Sequence, residues 1–129
     1  MLEQKKHSCL IIEDEENIQK LIGDLIERTN LFKMVFHSYD GIDAGLRISN
    51  QDFDLVIVDK NIPKRDGISL LKNEILSGRL NPKKTILISG LLQEEDIVKV
   101  KELNLQHILV KPFKANDLNN KILQILKLN

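Results

Sequence analysis

Four apolar runs in this chain stop at residues that could do chemistry together. Cys9-Leu10-Ile11-Ile12 ends in Glu13-Asp14, Leu55-Val56-Ile57-Val58 in Asp59, Thr85-Ile86-Leu87-Ile88 in Ser89, and Ile108-Leu109-Val110 in Lys111. A strand-ending Asp alone is usually a turn or cap residue; here the combination matters. If the runs are parallel strands, their carboxyl ends lie on one edge, where open α/β sheets bind ligands. Three carboxylates, a hydroxyl and an ammonium then share one crevice. Clustered carboxylates repel, and ionising all of them needs a compensating cation. Two or three carboxylates with room for water suit Mg2+, which takes octahedral oxygen ligands and keeps several waters. A zinc or copper site is not supported, because His7, His37 and His107 are scattered and Cys9 is the only cysteine. A divalent cation beside a lysine and a hydroxyl can hold a phosphoryl group, with Lys111 neutralising charge and Ser89 donating a hydrogen bond. Neither G-x-x-x-x-G-K nor G-x-G-x-x-G occurs, so nothing cradles a nucleotide. The remaining candidate to carry the phosphoryl group is Asp59, as an aspartyl phosphate formed by nucleophilic attack.

The elements around these residues must place them on one rim. Leu55–Val58 has three β-branched residues of four and suits a strand buried on both faces. Ile18, Leu21, Ile22, Leu25 and Ile26 form the apolar stripe of a first helix. Lys33-Met34-Val35-Phe36-His37 reads as a second strand, shorter and less apolar, as suits an edge. Asp40 is a plausible N-cap of the second helix, with Asp43 in its first turn and Ala44, Leu46 and Ile48 following. Asp66-Gly67 opens the third helix, with Asp66 read as a cap and Ile68, Leu70, Leu71 and Ile75 as apolar positions. Gly78 suits that helix's C-terminal cap. Glu94-Glu95-Asp96 begins the fourth helix, and Lys99 and Lys101 fall near its end, both favouring the helix dipole. The last helix carries Leu118, Ile122, Ile125 and Leu126, widened by Leu123 and Leu128; Lys114 is a poor cap, which favours a start at Asn116. Repeated strand-then-helix units imply right-handed crossovers and a doubly wound α/β fold, a five-stranded parallel sheet with helices on both faces. The expected organisation is one domain over 1–129, with 1–7 as a polar leader and no output domain.

Composition narrows the function classes. The chain has 129 residues with 19 basic and 19 acidic side chains, so its balance favours neither a polyanion nor an acidic membrane as partner. Aromatics at 4% argue against base-stacking platforms, and no direct contact with nucleic acid is expected. No apolar segment approaches the roughly 20 residues that span a bilayer, so membrane insertion is not expected and a cytoplasmic location is. Cys9 reads as a small core hydrophobe and the three histidines as packing or surface residues.

Ile11-Ile12-Glu13-Asp14-Glu15-Glu16, Val56-Ile57-Val58-Asp59-x-x-Ile62-Pro63-x-x-Asp66-Gly67, Ile88-Ser89-Gly90 and Val110-Lys111-Pro112-Phe113 together resemble the receiver domain of two-component response regulators, the CheY-like family. The resemblance covers nearly the whole chain. It implies the (βα)5, flavodoxin-like fold with strand order 2-1-3-4-5. It implies that Asp59 is the phosphoacceptor and that Glu13, Asp14, Asp59 and the Asn61 backbone carbonyl surround Mg2+. By the same resemblance Ser89 is the switch hydroxyl, Lys111 contacts the phosphoryl group, and Pro112 follows through a cis peptide. A sensor histidine kinase or histidine phosphotransfer protein is the implied donor. A downstream protein would bind the face of helix four, strand five and helix five, and a homodimer is a further possibility. A receiver of this kind catalyses only its own phosphorylation and dephosphorylation and is not a turnover enzyme.

Some positions depart from the family pattern. Glu13 stands where Asp is commoner, and Ser89 where Thr is usual. Ile108 takes the switch position often held by Tyr or Phe, and it lacks a hydroxyl to report its rotamer. In place of a small-residue stretch there is Asn104-Leu105-Gln106-His107, in which Asn104 tolerates a left-handed turn. A phosphorylation-independent adaptor is the alternative that Ile108 and Glu13 leave open. An aspartyl-phosphate hydrolase is disfavoured, because Asn61 stands where such enzymes place a second acid.

Overall fold

Strand and helix alternate along the chain in the computed structural model, which describes residues 6–127. The elements are β1 (His7–Ile12), α1 (Glu16–Arg28), β2 (Phe32–Ser38), α2 (Gly41–Asn50), β3 (Leu55–Asp59), α3 (Gly67–Leu76), β4 (Thr85–Ser89), α4 (Glu94–Glu102), β5 (His107–Val110) and α5 (Ala115–Leu126). Pro82–Lys84 forms a short 3-10 turn before β4. The sheet order is β2-β1-β3-β4-β5 with every pairing parallel, as the resemblance implied.

Alternation along the strands divides the core into two layers. Leu10, Ile12, Val56, Val58 and Leu87 face α2, α3 and α4, where Ala44, Ile48, Leu70, Leu71 and Val100 cover them. Cys9, Ile11, Leu55, Ile57 and Ile88 face α1 and α5, meeting Ile22, Ile26, Leu118 and Ile122. The all-apolar strands are therefore those with helices on both sides. Cys9 is fully buried in this second layer, as read from its setting in an apolar run.

The caps explain most helix starts. Asp40 accepts from the Asp43 N–H at 2.8 Å, and Asp66 from the Ser69 N–H at 3.2 Å. Gly78 ends α3 with a φ of 79°, and Asn104 follows α4 with a φ of 59°.

Several expectations shift. His7, expected as the last residue of the leader, opens β1; residues 1–5 lie outside the described residues. β2 is at an edge but is not short, since at seven residues it is the longest strand. Leu21 on α1 and Leu46 on α2 are exposed; the rest of the α1 stripe faces the core, with Ile22 and Ile26 buried and Ile18 and Leu25 packed on the same layer, and Gln19 and Gly23 complete the buried face. Leu123 is also exposed, and Leu128 lies outside the described residues. α5 starts at Ala115 and not at Asn116, because Asp117 reaches back to accept the Lys114 N–H at 3.0 Å and makes Lys114 a workable cap. The Lys111–Pro112 peptide is cis.

Candidate functional site

Backbone hydrogen bonds carry the ladder just past the strand ends and align their tips. Lys60 donates to the Ile88 carbonyl at 2.9 Å, Lys111 to that of Ser89 at 2.9 Å, and Glu13 to that of Ser38 at 3.0 Å. The side chains at these tips meet on one rim. Asp59 closes β3 and is buried, and its Oδ2 forms an ion pair with Lys111 Nζ. Its Oδ1 accepts from the Asn61 N–H at 2.8 Å, which turns the following loop back toward the carboxylate. Glu13 is buried beside them, and its Oε2 has no hydrogen-bond partner among the described residues. Asp14 is exposed at the mouth. Ser89 is buried; its Oγ donates to the Leu91 carbonyl at 2.9 Å and accepts from the Leu91 N–H at 3.2 Å. The hydroxyl is thus engaged with the β4–α4 loop and not with Asp59.

The loop after Asp59 is held from two sides. Gly67 donates to the Lys60 carbonyl at 2.8 Å and closes the loop, while Gly41 at the start of α2 donates to the Pro63 carbonyl at 3.1 Å. Val58 faces α2–α4, so by alternation Asp59 faces the other way and Lys60 turns back toward α4. There Lys60 Nζ meets Asp96 Oδ2 at 2.6 Å, with both side chains mostly shielded from solvent. Asp96 also accepts from the Gln93 N–H at 2.9 Å; the Lys60 bond and then this backbone bond hold its carboxyl below the ordinary range. Ile108, the remaining expected switch residue, is not on the rim. It is half-buried and packs into the layer under α4.

The electrostatics follow from this crowding. Burial, then the hydrogen bond and charge of Asp59, push Glu13 up from 4.5 to about 8, against the pull of Lys111. Burial works to lower Lys111, but its bond and pairing with Asp59, with Glu13 and Glu15 nearby, outweigh that and hold it above its ordinary value. Glu13 consequently binds a proton more tightly folded than unfolded. The metal-free protein should therefore lose stability as pH rises from about 4.5 to about 8, the interval between the two Glu13 values. Urea midpoints across that interval check this, and a Glu13→Gln variant should flatten the slope.

Oxygen donors of this kind suit a hard cation. Among the described residues no three His, Cys, Asp or Glu side chains form a ready-made metal cage. Asp59 is turned to Lys111, and on this rim Glu13 offers a buried oxygen without a partner among the described residues. That orphaned oxygen, with Asp14 open to water and Asp59 adjacent, fits an ion that keeps part of its hydration shell.

The sequence reading missed two polar features here. Gln19 is buried beneath Glu13, and its signal was its place three residues before Ile22 on the true buried face of α1. The Lys60–Asp96 pair was missed because Asp96 had been read only as a first-turn acid. Among the described residues, no helix is long and apolar enough to cross a membrane.

Comparison with known proteins gives the same picture. The model of the response regulator receiver domain matches residues 9–123. Chemotaxis protein CheY-3 of Vibrio cholerae serotype O1 is 28% identical over 123 residues, covering 95% of this chain and 94% of that protein. Two solved structures share the fold. The Francisella response regulator 1452 receiver domain superposes with a TM-score of 0.82 at 24% identity, covering 95% of this chain and 98% of the other. The receiver domain of sensor histidine kinase PA1611 from Pseudomonas aeruginosa PAO1, with a magnesium ion coordinated in its active site cleft, gives 0.78 at 23% identity over 94% and 98%. The family match takes in every strand tip from Glu13 to Lys111, and this chain belongs to the response regulator receiver domains.

Proposed function

We propose that the rim is a phosphoacceptor site and that the chain relays a signal by carrying a phosphoryl group on Asp59. The observation that carries this is the buried Asp59 carboxylate at the tip of β3, paired with Lys111 and crowded by Glu13. The donor is a phosphohistidine on a sensor histidine kinase or phosphotransfer protein. An Asp59 oxygen attacks phosphorus, the P–N bond breaks, and the imidazole leaves with the bonding electrons. Glu13, Asp14, Asp59 and the Asn61 carbonyl would hold Mg2+, which supplies charge neutralisation on the phosphoryl oxygens when bound. Lys111 lies against Asp59 already and needs only to shift its ammonium from the carboxylate to the new anion. Ser89 must exchange its bond to the Leu91 carbonyl for one to a phosphoryl oxygen, which draws the β4–α4 loop with it.

The chain acts only on itself in this scheme and turns over no external substrate. Its readout is a protein that binds the α4–β5–α5 face, where Val98, Val110 and Leu123 are exposed; a second copy is one such partner. The test is incubation with acetyl phosphate and Mg2+, followed by intact mass spectrometry. One added phosphoryl group, labile to hydroxylamine, is expected. No mass gain, together with no amide shift on adding beryllofluoride and Mg2+, sinks the reading and leaves the phosphorylation-independent adaptor.

A further inference from the structure

Beneath the acid corner lies a side chain that this chemistry does not use. Gln19, near the start of α1, is buried, and its Nε2 stands 3.1 Å from each of three main-chain carbonyls, those of Ile11, Glu13 and Ser38. Its Oε1 lies 2.6 Å from His37 Nδ1. A nitrogen ringed by carbonyls has to be the NH2 group, so Oε1 accepts from an Nδ1–H of His37. An amide has two hydrogens, and the three carbonyls share them in a three-centre arrangement.

The carbonyls belong to the ends of β1 and β2 and to Glu13 itself. The Glu13 N–H is in turn bonded to the Ser38 carbonyl at 3.0 Å. Its main chain is therefore fixed on both sides, while its side chain sits buried with one unpartnered oxygen close to Asp59. Where the Glu13 Cα sits sets how far its carboxylate reaches into the corner, so a main chain free to shift would carry the carboxylate out of it. Gln19 is the group that ties the Glu13 carbonyl to the ends of β1 and β2.

We propose that Gln19 is a positioning residue: by clamping the β1 and β2 ends it aims the Glu13 carboxylate inward and so sets the affinity of the site for a divalent cation. This rests on the metal reading given above. Residues that orient a ligand from behind commonly change metal affinity by about 10–100-fold when removed.

The test is calorimetric titration of Mg2+ into the wild-type protein and Gln19→Met, which keeps length and bulk but loses the donor and acceptor. The expected result is a dissociation constant raised about tenfold, with faster amide exchange at Glu13 in the metal-free protein. The same substitution made in a Glu13→Gln background should cost nothing further, because there is no carboxylate left to aim. An unchanged dissociation constant, or an equal loss with and without the Glu13 carboxylate, overturns the proposal. If Gln19→Met does not fold, His37→Phe removes only the fourth partner of the amide. A smaller weakening that vanishes in the Glu13→Gln background then supports the clamp, and unaltered affinity overturns it. A wild-type protein that binds no Mg2+ defeats the metal reading and this proposal with it, and it does so before any substitution is made.

Discussion

Asp59→Asn will take up no phosphoryl group from acetyl phosphate at any Mg2+ concentration, and it will lower the pKa of Glu13 from about 8 toward the ordinary carboxylate range. The first effect is all-or-none. A carboxamide oxygen is a far poorer nucleophile than a carboxylate, and the Ser89 hydroxyl beside it is occupied by Leu91. The second effect is partial. Burial, the largest cause of the Glu13 shift, remains after substitution, while the hydrogen bond and charge of Asp59 disappear. Lys111, which lowers Glu13, is freed at the same time and now has Glu13 as its nearest acid. The stability lost between about pH 4.5 and pH 8 should shrink accordingly. Lys111 keeps a third of its side chain in water, so losing its partner does not bury a bare charge. Mass spectrometry and carbon-13 titration of the Glu13 carboxyl read the two effects separately. A phosphoryl group found on the Asp59→Asn protein would move the acceptor to another residue.

Gly67→Ala should destabilise the protein by about 3 kcal/mol, the upper end for overpacking, although alanine is the better helix former by about 1 kcal/mol. The sign turns on where α3 begins. A Cβ on Gly67 would collide with the Asp59 carbonyl oxygen and sit 2.9 Å from Lys60 Cα and 3.0 Å from the Lys60 carbonyl. All three are main-chain atoms, so no rotamer change relieves the contact. The end of β3 must move, and it carries Asp59 away from Lys111. Gly45→Ala is the control on α2, since its nearest atoms would be side-chain ends of Arg65 and Glu74 at 3.5 Å. That change should be neutral or mildly stabilising. Urea denaturation of both variants decides the matter, and a Gly67→Ala protein as stable as wild type would refute the close approach.

The layered sheet was legible because its strands are short, apolar and bounded by polar tips, and strand ends are where parallel order makes distant residues meet. Asp59, Ser89, Lys111 and Glu13 follow from that alone. What was not legible is instructive. Leu21 and Leu46 fit a helical apolar pattern yet face outward, because a stripe can be drawn through several phases when a helix is rich in leucine and isoleucine. The α1 stripe was drawn from apolar residues only, and that hid Gln19, whose importance depends on three carbonyls contributed by β1, β2 and the β1–α1 loop. Lys114 looked unsuitable as a cap because the cap is judged by its own side chain, whereas Asp117 does the work from inside the helix. That bond spans three residues and was open to a local reading, whereas the contacts of Gln19 are set by spatial neighbours, which local patterning does not encode.

The tie between Lys60 and Asp96 joins the peptide that bears the reactive acid to the first turn of the helix on the adjoining unit. Because it is short and largely sheltered, neither end can travel far without dragging or breaking it. Linked equilibria run both ways. If Asp59 carries the phosphoryl group as proposed, a protein that binds α4 should alter the charging of Asp59, and charging Asp59 should alter that binding.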